Sequence, residues 1–340
     1  MLKKMNKYSI SLIICIVVLL GLLYYYFFTP LSKIKEDYYL RIDDNDNIDS
    51  VIKKIQPISS DKGFFAMTTL MRHTSYSTKI RSGRFKIEPT DPSVTIFHRL
   101  SSGLQASVML TIPSTRTLNE LADKIGSKLM IGSDAIRYAL EDSVICKHYG
   151  FTKETIACMI IPNTYNFYWN VTLEDFLNRM KNEYDIFWNK DRMGKAQEME
   201  LTPVQVATLA SIVDEETANN SEKPTIAGLY YNRYKKGMKL QADPTIKFAV
   251  GDFSIKRIHY WMLKTDSPYN TYRYLGFPPG PIRVPSVQGI DAVLNYEHHD
   301  YIYMCAKEDL SGTHNFASNG AEHMKNAARY YAALNKLGIK

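Results

Sequence analysis

Residues 202–217, TPVQVATLASIVDEET, decide how the rest of the chain is read. The stretch opens with a complete helix start signal. Thr202 stands where an N-cap belongs, Pro203 takes the first helical position, and Gln205 completes a capping-box pattern. At about 100° per residue, Val206, Leu209, Ile212 and Val213 fall on one stripe. Glu216 falls on that same stripe, while Asp214 and Glu215 point away from it. An acid on the apolar face of a helix is paired, neutral or at work. A poorly hydrated carboxyl keeps its proton to higher pH, which is what a general acid needs. The plain alternative is that the helix ends here and Glu216 emerges into water.

The chain has 340 residues, enough for two domains of ordinary size. With 45% apolar and 12% aromatic residues it is too hydrophobic to be disordered. Its net charge of +7 is mild and spread out, which suits an anionic neighbour such as a membrane surface or wall polymer. No Lys/Arg block, P-loop or zinc-knuckle spacing points to nucleic acid or nucleotide. Cys15 lies in an apolar run, and Cys146, Cys158 and Cys305 form no C-x-x-C pair. Cys146 and Cys158 either pair in an oxidising compartment or stay as buried thiols.

Residues 8–28 form an uncharged run that as a helix spans roughly 31 Å, matching a hydrocarbon core of about 30 Å. Lys3, Lys4 and Lys7 precede it, and the following flank of Lys33, Lys35, Glu36 and Asp37 is balanced. The positive-inside rule keeps residues 1–7 as a cytoplasmic tail and sends the remainder to the extracytoplasmic side. A cleaved signal peptide would have a shorter apolar core and a small-residue cleavage site. The aromatic belt at residues 24–28, YYYFF, stands there instead, so the run reads as an uncleaved single-pass anchor in the cell (inner) membrane.

Residues 29–47 read as a polar linker and 48–150 as a small α+β module, with helical spacing at 48–55, 64–71, 94–100 and 117–129. Short strands fit 84–87 and 105–112. Residues 151–340 read as a mainly helical α+β domain. Residues 173–188 fit a long helix, 189–199 a charged connector, and 221–233 an antiparallel neighbour of the opening helix. Asp243 and Pro244 look like the cap and first residue of a further helix. Residues 286–294 and 321–337 are helical, and 301–305 is a strand. Residues 267–282, SPYNTYRYLGFPPGPI, are too rich in Pro, Gly and Tyr for regular structure. Tyr269, Tyr272, Tyr274 and Phe277 there offer stacking faces for sugar rings, or they pack on the core; spacing leaves both open.

His298, His299, His314 and His323 cluster late in the chain but form no H-E-x-x-H or similar ligand pair. No G-x-S-x-G elbow supports a nucleophilic serine. One candidate acid, followed by amides and aromatics, suits carbohydrate better than phosphate or peptide.

Six stretches in order then carry a resemblance: LASIVDEET at 209–217, YNR at 231–233, GM at 237–238, LQADPT at 240–245, YNTY at 269–272 and GFPPGPI at 276–282. Together with the anchor, TIP at 111–113, HNF at 314–316 and Glu322-His323, they resemble the endolytic murein transglycosylase (MltG, YceG-like) family. The resemblance implies a LysM-like module at 48–150 and a transglycosylase domain at 151–340, with Glu216 as catalytic acid/base. It implies cleavage of the MurNAc–GlcNAc β-1,4 bond of nascent peptidoglycan, a 1,6-anhydroMurNAc product and termination of glycan elongation. Gln241, Asp243, Tyr269, Asn270 and Tyr272 are the substrate-binding candidates, although Asp243 also reads as a plain helix cap. The chemistry calls for no cofactor and no metal. Partners would be glycan strands and wall-synthesis enzymes, not nucleic acid. Departures from the family pattern are Glu215 where a basic residue is usual, Asn163 where an Asp is usual, and Ala242 for a common Ser. The alternatives are a wall-binding scaffold that does not cleave, or a hydrolase using Asp214 or Asp243 as a second carboxylate.

Overall fold

The structure, a computed structural model, describes residues 7–30, 32–255 and 257–336. Lys3 and Lys4 of the predicted tail, and Leu337 of the predicted last helix, lie outside the described residues. The fold is mixed α+β, mostly helical, with an apolar helix at its start. The chain divides into two compact units, residues 1–110 with 128–131 and 166–171, and the remainder.

The first unit begins with α1 (Lys7–Phe28). Its apolar side chains are exposed along its length, and among the described residues it is the one helix long and apolar enough to cross a membrane. Then come β1 (Tyr38–Ile42), α2 (Ile48–Ile55), α3 (Asp61–Arg72), β2 (Gly83–Ile87) and α4 (Ser93–Ser102). β1 lies in the stretch that composition marks as linker. Its alternation is short, but Leu40 and Ile42 are buried and pair across an antiparallel ladder with Phe85 and Gly83. Phe85 and Ile87 point from β2 into the same core as Val51, Ile55, Met67, Ile96 and Leu100. Each such buried side chain contributes about 1.5–3 kcal/mol. Helix α2 is held at its start by a reciprocal Asn47–Ser50 capping box.

Strands β3 (Val108–Ile112) and β4 (Asn163–Phe167) form a two-stranded sheet. The second unit holds α5 (Leu118–Gly126), α6 (Ser133–Glu141) and α7 (Ser143–His148) before β4 (Asn163–Phe167). It continues with α8 (Leu173–Phe187), α9 (Lys190–Glu198), α10 (Pro203–Glu216), α11 (Lys223–Lys235), α12 (Asp243–Val250) and α13 (Val287–Leu294). An antiparallel hairpin, β5 (Tyr303–Ala306) and β6 (His314–Ala317), and helix α14 (Gly320–Lys336) close it. Residues 189–199, whose charge suggests a connector, are instead α9. Only Ala196 in it is buried, so no apolar period marks the helix, and Asn189 caps it. Burial pushes the Cys158 thiol up to about 12, and Cys146 and Cys158 are free thiols, not a disulfide.

Helix α10 is the axis of this unit, and its start is the capping box its sequence announces. Thr202 Oγ1 accepts from Gln205 N at 3.2 Å, and Gln205 Oε1 accepts from Thr202 N at 2.9 Å. The single apolar stripe is an underestimate. All eight residues from Val206 to Val213 are buried, because α9, α11, α12 and α13 pack around the helix. Ser211 adds a polar tie, its Oγ accepting from Ile282 N at 3.0 Å and so fixing the end of the GFPPGPI loop on α10.

Candidate active site

The three acids that end α10 are each satisfied differently, and the side chains of Asp214 and Glu215 are only 3% and 7% exposed. Asp214 accepts from Lys223 Nζ, Ser286 N and Ser286 Oγ, all at 2.7 Å. A Cβ on Gly289 would stand 2.6 Å from that carboxylate, so glycine is needed for α13 to come this close. Glu215 accepts from Arg116 Nε at 2.9 Å and Arg283 Nη1 at 2.8 Å, with its side chain 7% exposed. Asp214 and Glu215, off the apolar stripe, nonetheless do not emerge into water. They face other packed elements, each ringed by cationic or N–H donors.

Glu216 is held differently. Its Oε1 accepts from the Tyr230 hydroxyl at 2.5 Å, a neutral donor on α11. Loss of water raises the Glu216 carboxyl to about 7, against a smaller lowering by the Tyr230 bond, and the Asp243 charge pushes in the same direction as burial. A carboxyl with that value is about half protonated at neutral pH. It can both give and take a proton there.

Glu216 lines a cleft of about 300 Å³ together with Tyr230, Arg233, Gln241, Asp243 and Tyr272, and with Tyr303 to Ala306, His314 and His323. Arg233 is almost fully buried and holds one edge. It donates to Lys239 O through Nε and Nη2, to Ile302 O through Nη1, and to Gln241 Oε1 at 2.5 Å. Gln241 has a φ of 54°, a left-handed backbone that costs a residue with a side chain about 1 kcal/mol or more. The Arg233 bond, with donation from Gln241 N to Thr271 O at 3.1 Å, holds it there. Asp243 is not the cap of α12. Ala242 occupies that position with no side-chain bond, and Asp243 begins the helix with its Oδ1 accepting from the Tyr272 hydroxyl at 2.5 Å.

Of the residues singled out in the sequence, Glu216, Gln241, Asp243 and Tyr272 are thus brought together. Tyr269 and Asn270 lie elsewhere. Asn270 is fully buried and donates to Leu263 O and Thr265 O at 2.9 and 2.8 Å, while its Oδ1 accepts from Tyr272 N, so it shapes the loop that presents Tyr272. Tyr269 packs on Phe248 and lines a second cavity of about 360 Å³. Tyr274 donates to Asp266, and Phe277 stacks on Tyr234. Asn163 is exposed on β4. His314 binds Glu222 through Nδ1 at 3.0 Å, and among the described residues no group of three His, Cys, Asp or Glu is placed to hold a metal ion. Tyr230 is the residue that sequence reading passes over. Its spacing of four from the buried Ile226 on α11 was the available signal.

The family profile of the YceG-like family matches residues 40–329. A protein of Bacillus subtilis (strain 168) named endolytic murein transglycosylase is 27% identical over 309 residues, covering 85% of this chain and 82% of that one. A Streptococcus pneumoniae (serotype 2, strain D39) protein of the same name is 25% identical over 74% of this chain, which spans about half (51%) of that relative's length. The crystal structure of a yceG-like protein of Listeria monocytogenes, lmo1499, superposes with a TM-score of 0.55 at 25% identity, over 86% of this chain and 99% of that one. Built on the fold those matches share and on the ordered motifs around Glu216, the chain belongs to the YceG-like family.

Proposed function

We propose that this chain is a membrane-anchored endolytic lytic transglycosylase acting on nascent peptidoglycan, with Glu216 as its acid/base. The observation that carries the reading is the contrast within α10. Of three successive carboxyls, Asp214 and Glu215 are each bonded to a cation, whereas Glu216 accepts from a tyrosine hydroxyl and its carboxyl is raised to about 7 beside a cleft. Its proton goes to the oxygen of the MurNAc–GlcNAc β-1,4 bond. The electron pair of the breaking C1–O bond leaves with the GlcNAc hydroxyl. The MurNAc C6 hydroxyl then bonds to C1 and returns its proton to Glu216, leaving a 1,6-anhydro end and so ending elongation of that strand. An internal nucleophile replaces the second carboxylate that most glycosidases need. Gln241, Asp243 and Tyr272 orient the glycan, and the Asp243 charge steadies the positive charge developing at C1.

Helix α1 supplies the anchor in the cell membrane, with the N-terminus cytoplasmic and the cleft on the extracytoplasmic side. The β1–β2 pair with α2, α3 and α4 is assigned as the LysM-like glycan-binding module, and wall-synthesis enzymes are the expected partners. The second reading is a hydrolase, favoured by the placement of Asp243 in the same cleft as Glu216. Incubating the full chain in detergent with peptidoglycan, and identifying the new chain ends by mass spectrometry, separates the two. Anhydro ends are expected. Reducing ends would establish the hydrolase, and no new ends would leave a binding scaffold.

A further inference from the structure

A carboxyl that must give a proton and take one back has to do so from a defined oxygen. In Glu216 the two oxygens are not equivalent. Oε1 receives the Tyr230 hydroxyl hydrogen, and Tyr230, on α11, is a buried residue with 2% exposure. A buried phenol between two acids, Glu216 and Asp243, holds its own proton far more firmly than in water, so it stays a donor. An oxygen already receiving an O–H is a poor place for a second proton. We propose that Tyr230 is the positioning residue of the site: by occupying Oε1 it assigns the transferable proton to Oε2 and holds the carboxyl in the orientation that presents it to the cleft.

The other charged groups around Glu216 do not perform this task. Asp243 and Lys247 on α12 and Glu215 on α10 act on it only through their charge, in opposite senses. Arg233 is committed to backbone carbonyls and Gln241, and Tyr272 to Asp243. His314 and His323 also line the cleft, with His314 bonded to Glu222. The assignment rests on Glu216 being the acid of the reaction. In the catalytic cycle the Oε2–H bond breaks as the glycosidic oxygen takes the proton. The Oε2–H bond forms again as the C6 hydroxyl loses its own, and the Tyr230 proton stays on Tyr230 throughout.

The test is Tyr230→Phe, which keeps the ring and removes the donor. Losing a hydrogen bond to the ionised form raises the acid, so the alkaline limb of the kcat profile should move up by about one pH unit. The plateau kcat should fall about ten- to hundredfold with KM changed less than threefold, from the lost orientation. Incorporating 3-fluorotyrosine at position 230 strengthens the donor without changing its shape, and should move the limb down. The same two shifts, read by NMR titration of a ¹³C-labelled Glu216 carboxyl, need no turnover and so separate this inference from the proposed reaction. A His323→Gln background should preserve the Tyr230→Phe shift. A limb and a carboxyl titration that stay in place in both Tyr230 variants would overturn the assignment, as would their moving in the same direction. If Tyr230→Phe does not fold, the fluorotyrosine protein decides alone. Full activity of Glu216→Gln, by contrast, would sink the proposed reaction while leaving the titration result standing.

Discussion

At the end of α10 two adjacent glutamates meet two different surroundings. Glu215 lies between the guanidinium groups of Arg116 and Arg283, while Glu216, one residue on, meets a tyrosine hydroxyl and a cleft. Both are shielded from solvent, so burial alone does not separate them. What separates them is the charge of the donor. Glu215 is bonded to two cations, and its hydrogen bond and charge raise the Arg116 guanidinium. A neutral hydroxyl does less than burial undoes, and Glu216 is left poised near neutrality. The lesson is that an enclosed acid is left poised near neutrality where its bonded partner is a neutral donor rather than a cation.

Removing the poised acid tests this contrast with the largest effect. Glu216→Gln should lower turnover of peptidoglycan at least about a thousandfold, within the range expected for loss of an essential acid. It should also fold, because the amide oxygen can still accept from Tyr230. Its stability should change with a definite sign. A carboxyl raised from 4.5 to about 7 on folding favours the folded state at low pH, and that benefit is lost as pH rises through this window. Thermal melting of Glu216→Gln against the parent should therefore show a gain of about 1–3 kcal/mol at pH 8 that vanishes near pH 4.

Removing the paired acid should give the opposite pattern. Glu215→Gln leaves two guanidinium groups facing a neutral amide and should cost about 2–3 kcal/mol, discounted from a fully buried pair because Arg116 is half exposed. Denaturant melts would read that loss. The third acid belongs with Glu215. Gly289→Ala pushes a methyl against Asp214 and should destabilise by about 1–3 kcal/mol, again visible in denaturant melts. At the other end of the helix, Thr202→Ala removes a capping bond and should cost about 1 kcal/mol without touching the cleft. The smallest expected effect is the most specific. Asp243→Asn removes a charge that raises Glu216, so the alkaline limb of activity should move down, the reverse of Tyr230→Phe.

The start of α10 was legible because its signals are local: a cap, a proline and a glutamine within four residues. Helical spacing set Glu216 on the apolar stripe and Asp214 and Glu215 off it, but the partners that surround the three acids were not legible. Those partners include Lys223, Arg116 and Arg283, which lie far from one another in the chain, and a single-helix projection cannot place them. For the same reason α10 read as one-sided when four helices enclose it. α9 escaped notice because a nearly all-polar helix has no apolar period, and β1 because five residues in a charged stretch show too little alternation. Asn270 illustrates the converse. An amide in a Tyr-rich loop looks like a sugar ligand, yet here it is spent on two backbone carbonyls that set the loop's shape.

The sharpest measurement places the two neighbours side by side. Full-length parent, Glu215→Gln and Glu216→Gln proteins would be incubated with the same peptidoglycan, and anhydro-ended muropeptides counted by mass spectrometry. Loss of those ends in Glu216→Gln, with their retention in folded Glu215→Gln, is the predicted result. Retention in Glu216→Gln, or loss only in Glu215→Gln, would contradict the assignment of Glu216 as the acid.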